Sequence, residues 1–130
     1  MKTLKNIGLS VLFLLLVVVM NSCYDDEVLP AGQEVVTGEV SFTQDIIPIF
    51  NASCNGSGCH NNGGIAPNLS SGAALSALTG GGYINTSDPE NSELYQWMIG
   101  NRSVDMPLSG PIGSANAKVL AWIRQGALNN

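Results

Sequence analysis

Hydrophobic and polar residues occur in blocks along this chain, and the longest apolar block covers residues 7–20. Lys2 and Lys5 precede it. The block is shorter than the roughly 20 residues that a membrane-spanning helix needs, but it matches the hydrophobic region of a secretory signal. We therefore predict a signal peptide over residues 1–22, with an uncleaved membrane anchor as the alternative.

The residues after this block predict a lipidated start and a tether. Met20-Asn21-Ser22-Cys23 resembles a bacterial lipobox, in which the cysteine is lipidated and becomes the new N-terminus. Residues 23–40 are largely polar or turn-forming and show no sustained period, which is typical of a linker. The acidic run Asp25-Asp26-Glu27 fits an ordinary solvated linker, and it also resembles the export signal of some surface lipoproteins.

Two short amphipathic helices are predicted next. The first lies between Ser41 and Ser53, where the apolar residues recur at helical spacing; these are Phe42, Ile46, Ile49 and Phe50. Thr43 or Asp45 is predicted to cap it. A cap at Asp45 would place Pro48 in the first turn, where proline is tolerated. The second helix covers residues 72–79 and ends in a run of three glycines.

A third helix is predicted to begin with Asp88 as N-cap and Pro89 as its first residue, and to end at Gly100. It turns an apolar stripe inwards, formed by Leu94, Trp97 and Met98. The fourth helix is predicted from Ser114 to about Leu128, with Val119, Trp122, Ile123 and Gly126 on one face. A glycine inside a helix costs about 1 kcal/mol relative to alanine, so we expect a packing reason for Gly126.

Composition limits the size and the partners of the folded part. Charged residues make up 12% of the chain and glycine occurs 15 times, so residues 41–130 predict one small domain with long loops and a thin apolar core. Beyond residue 22, three basic residues oppose ten acidic ones, a formal charge of −7. A nucleic acid is therefore not expected as a partner, because binding one requires a basic surface, whereas a partner with a positive patch would be attracted.

The candidate chemistry lies in the stretch Cys54-Asn55-Gly56-Ser57-Gly58-Cys59-His60, which holds the only histidine. The attachment pattern of c-type haem is C-x-x-C-H; here four residues separate the cysteines, and the two glycines would let the extra residues bulge outwards. A Cys54–Cys59 disulfide is one alternative. A zinc site is another, and it is weaker because a closed structural site takes four ligands.

Further motifs follow in a fixed order: F-x-x-D-I-x-P-I-F at 42–50, D-P-E-N-S at 88–92, Met106-Pro107, and Trp122-Ile123 with Gly126-Ala127. Together with the cysteine stretch, they resemble a family of small bacterial class I c-type cytochromes over residues 42–127. The resemblance implies an all-α, cytochrome c-like bundle of three to five short helices around one haem c, held covalently through Cys54 and Cys59. It also implies that the first and last helices cross at Gly126.

The resemblance further implies the ligands of the iron. His60 would bind from one side, with a backbone carbonyl near Pro67 accepting its proton. The single histidine is then used, so Met98 and Met106 remain as candidates for the other side. The family pattern favours Met106, on a loop stiffened by Pro107, whereas Met98 fits a core position; an open or weakly bound iron is the third possibility.

The sequence thus predicts an exported carrier of single electrons rather than an enzyme. It would be an outer-membrane lipoprotein facing the periplasm or the cell surface, attached through the lipid on Cys23 and exchanging electrons with redox proteins. Two other functions stay open. One is a haem peroxidase or ligand sensor, which requires that Met106 leave the iron free; the other is a haem-free interaction lipoprotein with a Cys54–Cys59 disulfide.

Overall fold

The computed structural model describes residues 34–130, so the predicted signal peptide, Cys23 and the acidic run lie outside the described residues. Between residues 34 and 130 the chain forms short helices and no strands. We label the α-helices α1 (Ile47–Ser53), α2 (Ala74–Gly80), α3 (Glu93–Met98) and α4 (Gly113–Arg124). A π-helix, Phe42–Ile46, leads into α1, and a 3-10 turn, Pro89–Asn91, precedes α3. The prediction of an all-α chain with short helices is confirmed at this level.

The first helical segment begins two residues earlier than a cap at Thr43 would place it. Ser41, not Thr43 or Asp45, is its N-cap, and the Ser41 hydroxyl accepts a hydrogen bond from the Gln44 amide at 3.1 Å. Asp45 reaches back and accepts from the Ser41 amide at 3.0 Å, so the two side chains satisfy two amides that the helix start leaves free. Pro48 lies in the first turn of α1, as predicted.

The first and last helical segments meet through aromatic side chains. Phe42 stacks on Trp122 at the centre of the apolar core. Ile46 and Phe50 extend the same buried face, because they are fully buried one and two turns further along the first segment. The spacing that predicted this inward face is therefore confirmed.

The prediction that Gly126 lies inside the last helix, at a close crossing with the first, is wrong. Helix α4 ends at Arg124, and Gly126 follows it with φ +98°. The Gly126 amide donates to the Ile123 carbonyl and the Ala127 amide donates to the Trp122 carbonyl, which is the Schellman ending of a helix. A Cβ built on Gly126 would meet only Leu128, at 3.8 Å, so no neighbouring backbone lies close. Gly126 is needed for the left-handed turn.

The third helix is shorter than predicted, because Ser92 interrupts the helical backbone. The 3-10 turn ends before it, and α3 starts after it. The Ser92 side chain is buried, and its hydroxyl accepts from the Asn85 amide at 2.9 Å. Asp88 makes no capping bond to the backbone and accepts instead from the Asn91 side chain. The predicted end is confirmed, since Gly100 follows α3 with φ +79°.

The last residues of the predicted tether are part of the packed domain. Val40 is buried, and Val36 packs against the core. The Gln125 side chain accepts from the Val40 amide and donates to the Gly38 carbonyl, both at 2.8 Å. The folded part therefore starts earlier than the predicted boundary at residue 41.

Candidate functional site

The cysteine stretch forms a compact loop at the end of α1. Cys54 is the C-cap of that helix. The His60 amide then donates to the Cys54 carbonyl at 3.0 Å, and the Cys59 amide donates to the Gly56 carbonyl at 2.9 Å. Gly58 has φ +77°, the left-handed turn that the glycines were predicted to allow, whereas Gly56 has no positive φ. The two thiols are free, without a disulfide between them.

Two asparagine side chains hold this loop in place. The Asn55 amide group donates to the Leu69 carbonyl at 2.9 Å, and the Asn61 amide group donates to the Gly56 carbonyl at 3.0 Å. The sequence reasoning did not identify either residue. Their position inside and next to a glycine-containing loop was the available clue, because asparagine commonly bonds to nearby backbone in such turns.

The orientation of the His60 ring is set by the segment that follows it. Nδ1 of His60 lies 3.2 Å from the Pro67 carbonyl oxygen and 3.2 Å from the Ile65 carbonyl oxygen. Two acceptors at Nδ1 favour the tautomer with its proton there, which leaves the lone pair on Nε2 for a metal. The carbonyl that the family resemblance singled out therefore lies within hydrogen-bond distance.

This segment approaches the cysteine loop so closely that one position admits only glycine. A Cβ built on Gly64 would lie 2.0 Å from the Cys59 carbonyl oxygen and 2.7 Å from the Asn61 side-chain oxygen. The Ile65 amide donates to that same Cys59 carbonyl at 2.8 Å. The loop rich in asparagine and glycine therefore packs against Cys59 and places the carbonyls of Ile65 and Pro67 near the His60 ring.

A cavity of about 280 Å³ lies beside the cysteine loop and has a mainly apolar lining. It brings together all the residues predicted for haem: Cys54, Cys59, His60, Pro67 and Met106. α3 and the loop after it also contribute to the lining, through Leu94, Trp97, Met98 and Pro107. The apolar stripe predicted on the third helix therefore faces this cavity.

Both candidate methionines line the cavity. Met98 is buried on α3, as its place in the apolar stripe predicted. Met106 is half-buried on the loop between α3 and α4, beside the buried Pro107. The peptide bonds before Pro67 and Pro107 are both cis.

Tyr83 also lines the cavity, although the sequence reasoning gave it no role. Its ring packs over Gly81, where a built Cβ would lie 2.6 Å from the ring. An aromatic residue directly after a helix-ending glycine run was the clue, in a chain that is only 6% aromatic.

The cavity wall is tied to a charged network. Glu93 accepts from the Trp97 indole at 2.8 Å and from Arg102 at 3.0 Å, and Arg102 also pairs with the second oxygen of the same carboxylate. Arg102 holds the pKa of Glu93 below its ordinary value. In contrast, burial raises the pKa of the Cys54 thiol to about 11, with a smaller effect from Cys59.

No family model, curated protein or solved structure matches this chain. In residues 34–130, no group of three or more His, Cys, Asp or Glu side chains is arranged to hold a bare metal ion. None of the helices between those residues is long and apolar enough to cross a membrane.

Proposed function

We propose that this protein is an exported, lipid-anchored c-type cytochrome with one haem, which carries one electron at a time between redox partners. The observation that carries the proposal is the arrangement of His60. Its Nδ1 is held by the Pro67 carbonyl, while its ring lines the same apolar cavity as Cys54, Cys59 and Met106.

The residues of this cavity fit haem c by their chemistry. Two free thiols are available for the two thioether bonds of a covalently attached porphyrin. One imidazole with a fixed tautomer and one thioether side chain are the axial pair found in cytochromes c. The lining is mainly apolar, as a porphyrin face requires, and it comes from elements far apart in the sequence.

The chain's own residues would orient and protect the group. Bound haem would supply an iron that changes its charge by one between two oxidation states. The Pro67 carbonyl would keep His60 in one orientation, and Leu94 and Trp97 would exclude water from the cavity. Met106, if it bound the iron, would favour a higher potential than a nitrogen ligand in its place, which suits transfer towards an acceptor.

If His60 and Met106 both bound the iron, no position would remain for a substrate, which argues for a carrier instead of an enzyme. A peroxidase or ligand sensor requires that Met106 stay away from the iron. A haem-free interaction lipoprotein requires that Cys54 and Cys59 bond to each other. These two functions are the alternatives that experiment must separate from the carrier.

The charge distribution supports a partner that presents positive charge. Arg102, Lys118 and Arg124 are the only basic residues in the described part of the chain. Each of them is paired with an acidic side chain, respectively Glu93, Asp45 and Glu90. Opposite charge on the partner would speed the encounter. The lipid on Cys23 would attach the protein to the outer membrane, facing the periplasm or the cell surface.

Expression of the full chain together with a cytochrome c maturation system tests the proposal. We expect one haem in the intact mass after denaturation and a c-type spectrum in alkaline pyridine. Replacement of Cys54 and Cys59 by alanine should remove the covalent haem, while Ser57→Ala, in the same loop, should retain it. A colourless protein whose mass holds only polypeptide and lipid would overturn the proposal in favour of the haem-free lipoprotein.

A further inference from the structure

The loop between α3 and α4, which we call the Met106 loop (residues 99–112), is hydrogen-bonded to the neighbouring helices at its two ends, through residues 99–102 and Ile112. Within residues 34–130, no hydrogen bond joins residues 103–109 to anything outside this loop. The side chains of Ser103, Val104 and Asp105 are exposed, whereas Pro107 is buried. The segment around Met106 is therefore held by packing of Pro107 and by the residues just before it.

Arg102 adds an ion pair to the attachment of this segment, one residue after Asn101, whose amide and side chain both donate to Gln96. Its guanidinium binds both oxygens of Glu93, the first residue of α3. A two-pronged bond of this type fixes direction as well as distance, because both the guanidinium and the carboxylate are planar. Arg102 also donates to the Asn101 carbonyl, which keeps the guanidinium close to its own backbone.

Glu93 connects this attachment to the cavity wall. The oxygen that accepts from Nε of Arg102 also accepts from the Trp97 indole. Trp97 lines the cavity, and so does Met106. One carboxylate therefore links a wall side chain to the arginine four residues before Met106.

We propose that Glu93 and Arg102 are positioning residues, which hold the Met106 loop in the arrangement that keeps the Met106 sulfur at the iron. This inference rests on the proposed function. Two states of the loop would be in equilibrium. In one state the Met106 sulfur is at the iron, and in the other state the loop has moved away from it. Breaking the bond between Glu93 and Arg102 favours the second state.

An external ligand measures that equilibrium directly. Imidazole added to the ferric protein binds where the methionine has left, so its apparent affinity rises in proportion to the open fraction. The sulfur-to-iron band in the far red reports the closed fraction. Neither measurement requires a redox partner.

The test compares Arg102→Gln, Glu93→Gln and Arg102→Lys with the control Lys118→Gln. The control removes another partly exposed ion pair, between Lys118 and Asp45, which has no bond to the Met106 loop. Arg102→Gln and Glu93→Gln should raise the apparent imidazole affinity by about threefold to tenfold, which corresponds to the loss of one partly exposed ion pair with its hydrogen bonds. Arg102→Lys keeps the charge, so its apparent imidazole affinity should lie between that of these two variants and that of the wild type.

Two results would overturn the inference: an unchanged imidazole affinity in Arg102→Gln and Glu93→Gln, or an equal increase in Lys118→Gln. If Arg102→Gln does not fold, the nearly isosteric Glu93→Gln decides. Measurements on the wild-type protein distinguish a failure of this inference from a failure of the proposed function. Wild-type protein without covalent haem refutes the cytochrome itself, whereas haem without a far-red band refutes Met106 ligation and, with it, the positioning role.

Discussion

The indole ring of Trp122 stacks on the phenyl ring of Phe42, with the ring centroids 5.1 Å apart and the ring planes inclined by 29°. Phe42 is 3% exposed and Trp122 is fully buried. The contact joins the first helical segment to the last helix, and both helices carry other core residues.

Phe42→Ala should therefore lower the free energy of unfolding by about 3–5 kcal/mol, because a buried aromatic ring is lost and a cavity remains. Urea unfolding of the protein measures the change. Leu108→Ala is the control, since Leu108 is 73% exposed and its truncation should change the free energy by less than about 0.5 kcal/mol. Equal losses in both variants would contradict this account of the core.

Gly126→Ala distinguishes a helix interior from a helix ending by the sign of its effect. At φ +98° an alanine is strained, and we expect a loss of about 1–2 kcal/mol. Inside a helix the same change would stabilise by about 1 kcal/mol. Gly80→Ala is the matched control, because Gly80 lies in α2 without a positive φ and with open space around a built Cβ. A higher thermal midpoint for Gly126→Ala would instead support the predicted longer helix, with Gly126 inside it.

Gly64→Ala should disturb the loop that carries His60. Its Cβ would overlap the Cys59 carbonyl oxygen, which belongs to backbone and has little room to move. We expect a lower unfolding midpoint and a lower yield of covalent haem. Gly72→Ala, with nothing within 4 Å of the built Cβ, should match the wild type in both measurements. A normal midpoint for Gly64→Ala would mean that the loop can shift without cost.

The stability of the first helix start should depend on pH. The pKa of Asp45 lies below its ordinary value, first because the Ser41 amide donates to it and then because Lys118 does. A carboxyl whose pKa is lowered by folding stabilises the fold at neutral pH, and it loses this contribution as the pH falls below about 4. The bond to Lys118 is partly exposed, so its share is below about 1 kcal/mol.

Asp45→Ala should therefore be less stable than the wild type at pH 7, and the difference should shrink towards pH 3. Thermal unfolding at the two pH values measures it. Lys118→Gln removes the ion pair but keeps the Ser41 bond, so its loss should be the smaller one. A difference for Asp45→Ala that stays constant between pH 7 and pH 3 would contradict the role of the charge.

Replacement of each methionine by leucine separates the two candidate ligands. We expect Met106→Leu to abolish the far-red band of the ferric protein and Met98→Leu to retain it. Met98 is buried on α3, and leucine fills a similar volume there at a cost of less than about 1.5 kcal/mol. The reverse result would move the ligand from the loop to the helix.

The helical segments and the inward faces could be predicted from the sequence because they depend on spacing alone. Phe42, Ile46 and Phe50 are examples, and so is the cavity-facing stripe on α3. The bounds depended on competition between caps. Thr43 and Asp45 were the predicted caps, but Ser41 caps the segment and Asp45 accepts from the Ser41 amide. Gly126 was assigned to a helix because the apolar spacing continues through it, but the chain turns at that residue.

The predicted site residues line one cavity. Cys54, Cys59 and His60 could be predicted from their spacing, whereas Pro67 and Met106 were implied by the family resemblance. What supports the Cys54–His60 stretch was not predicted. Asn55, Asn61 and Gly64 act through backbone that lies several residues away, and a local pattern does not reveal which carbonyl will be near. The identity of the bound group and of the partners remains a prediction.

The Val40 amide is held by Gln125 just before the first helical segment begins. Cys54, at the far end of that segment, lines the cavity. At about 1.5 Å per residue, the helical stretch between them separates the two points by roughly 15–20 Å. Residues 34–36, which precede Val40, line a groove with Tyr95, Ile99 and α4. If Cys23 carries a lipid as proposed, its pull would therefore reach α4 before it reached the first helical segment.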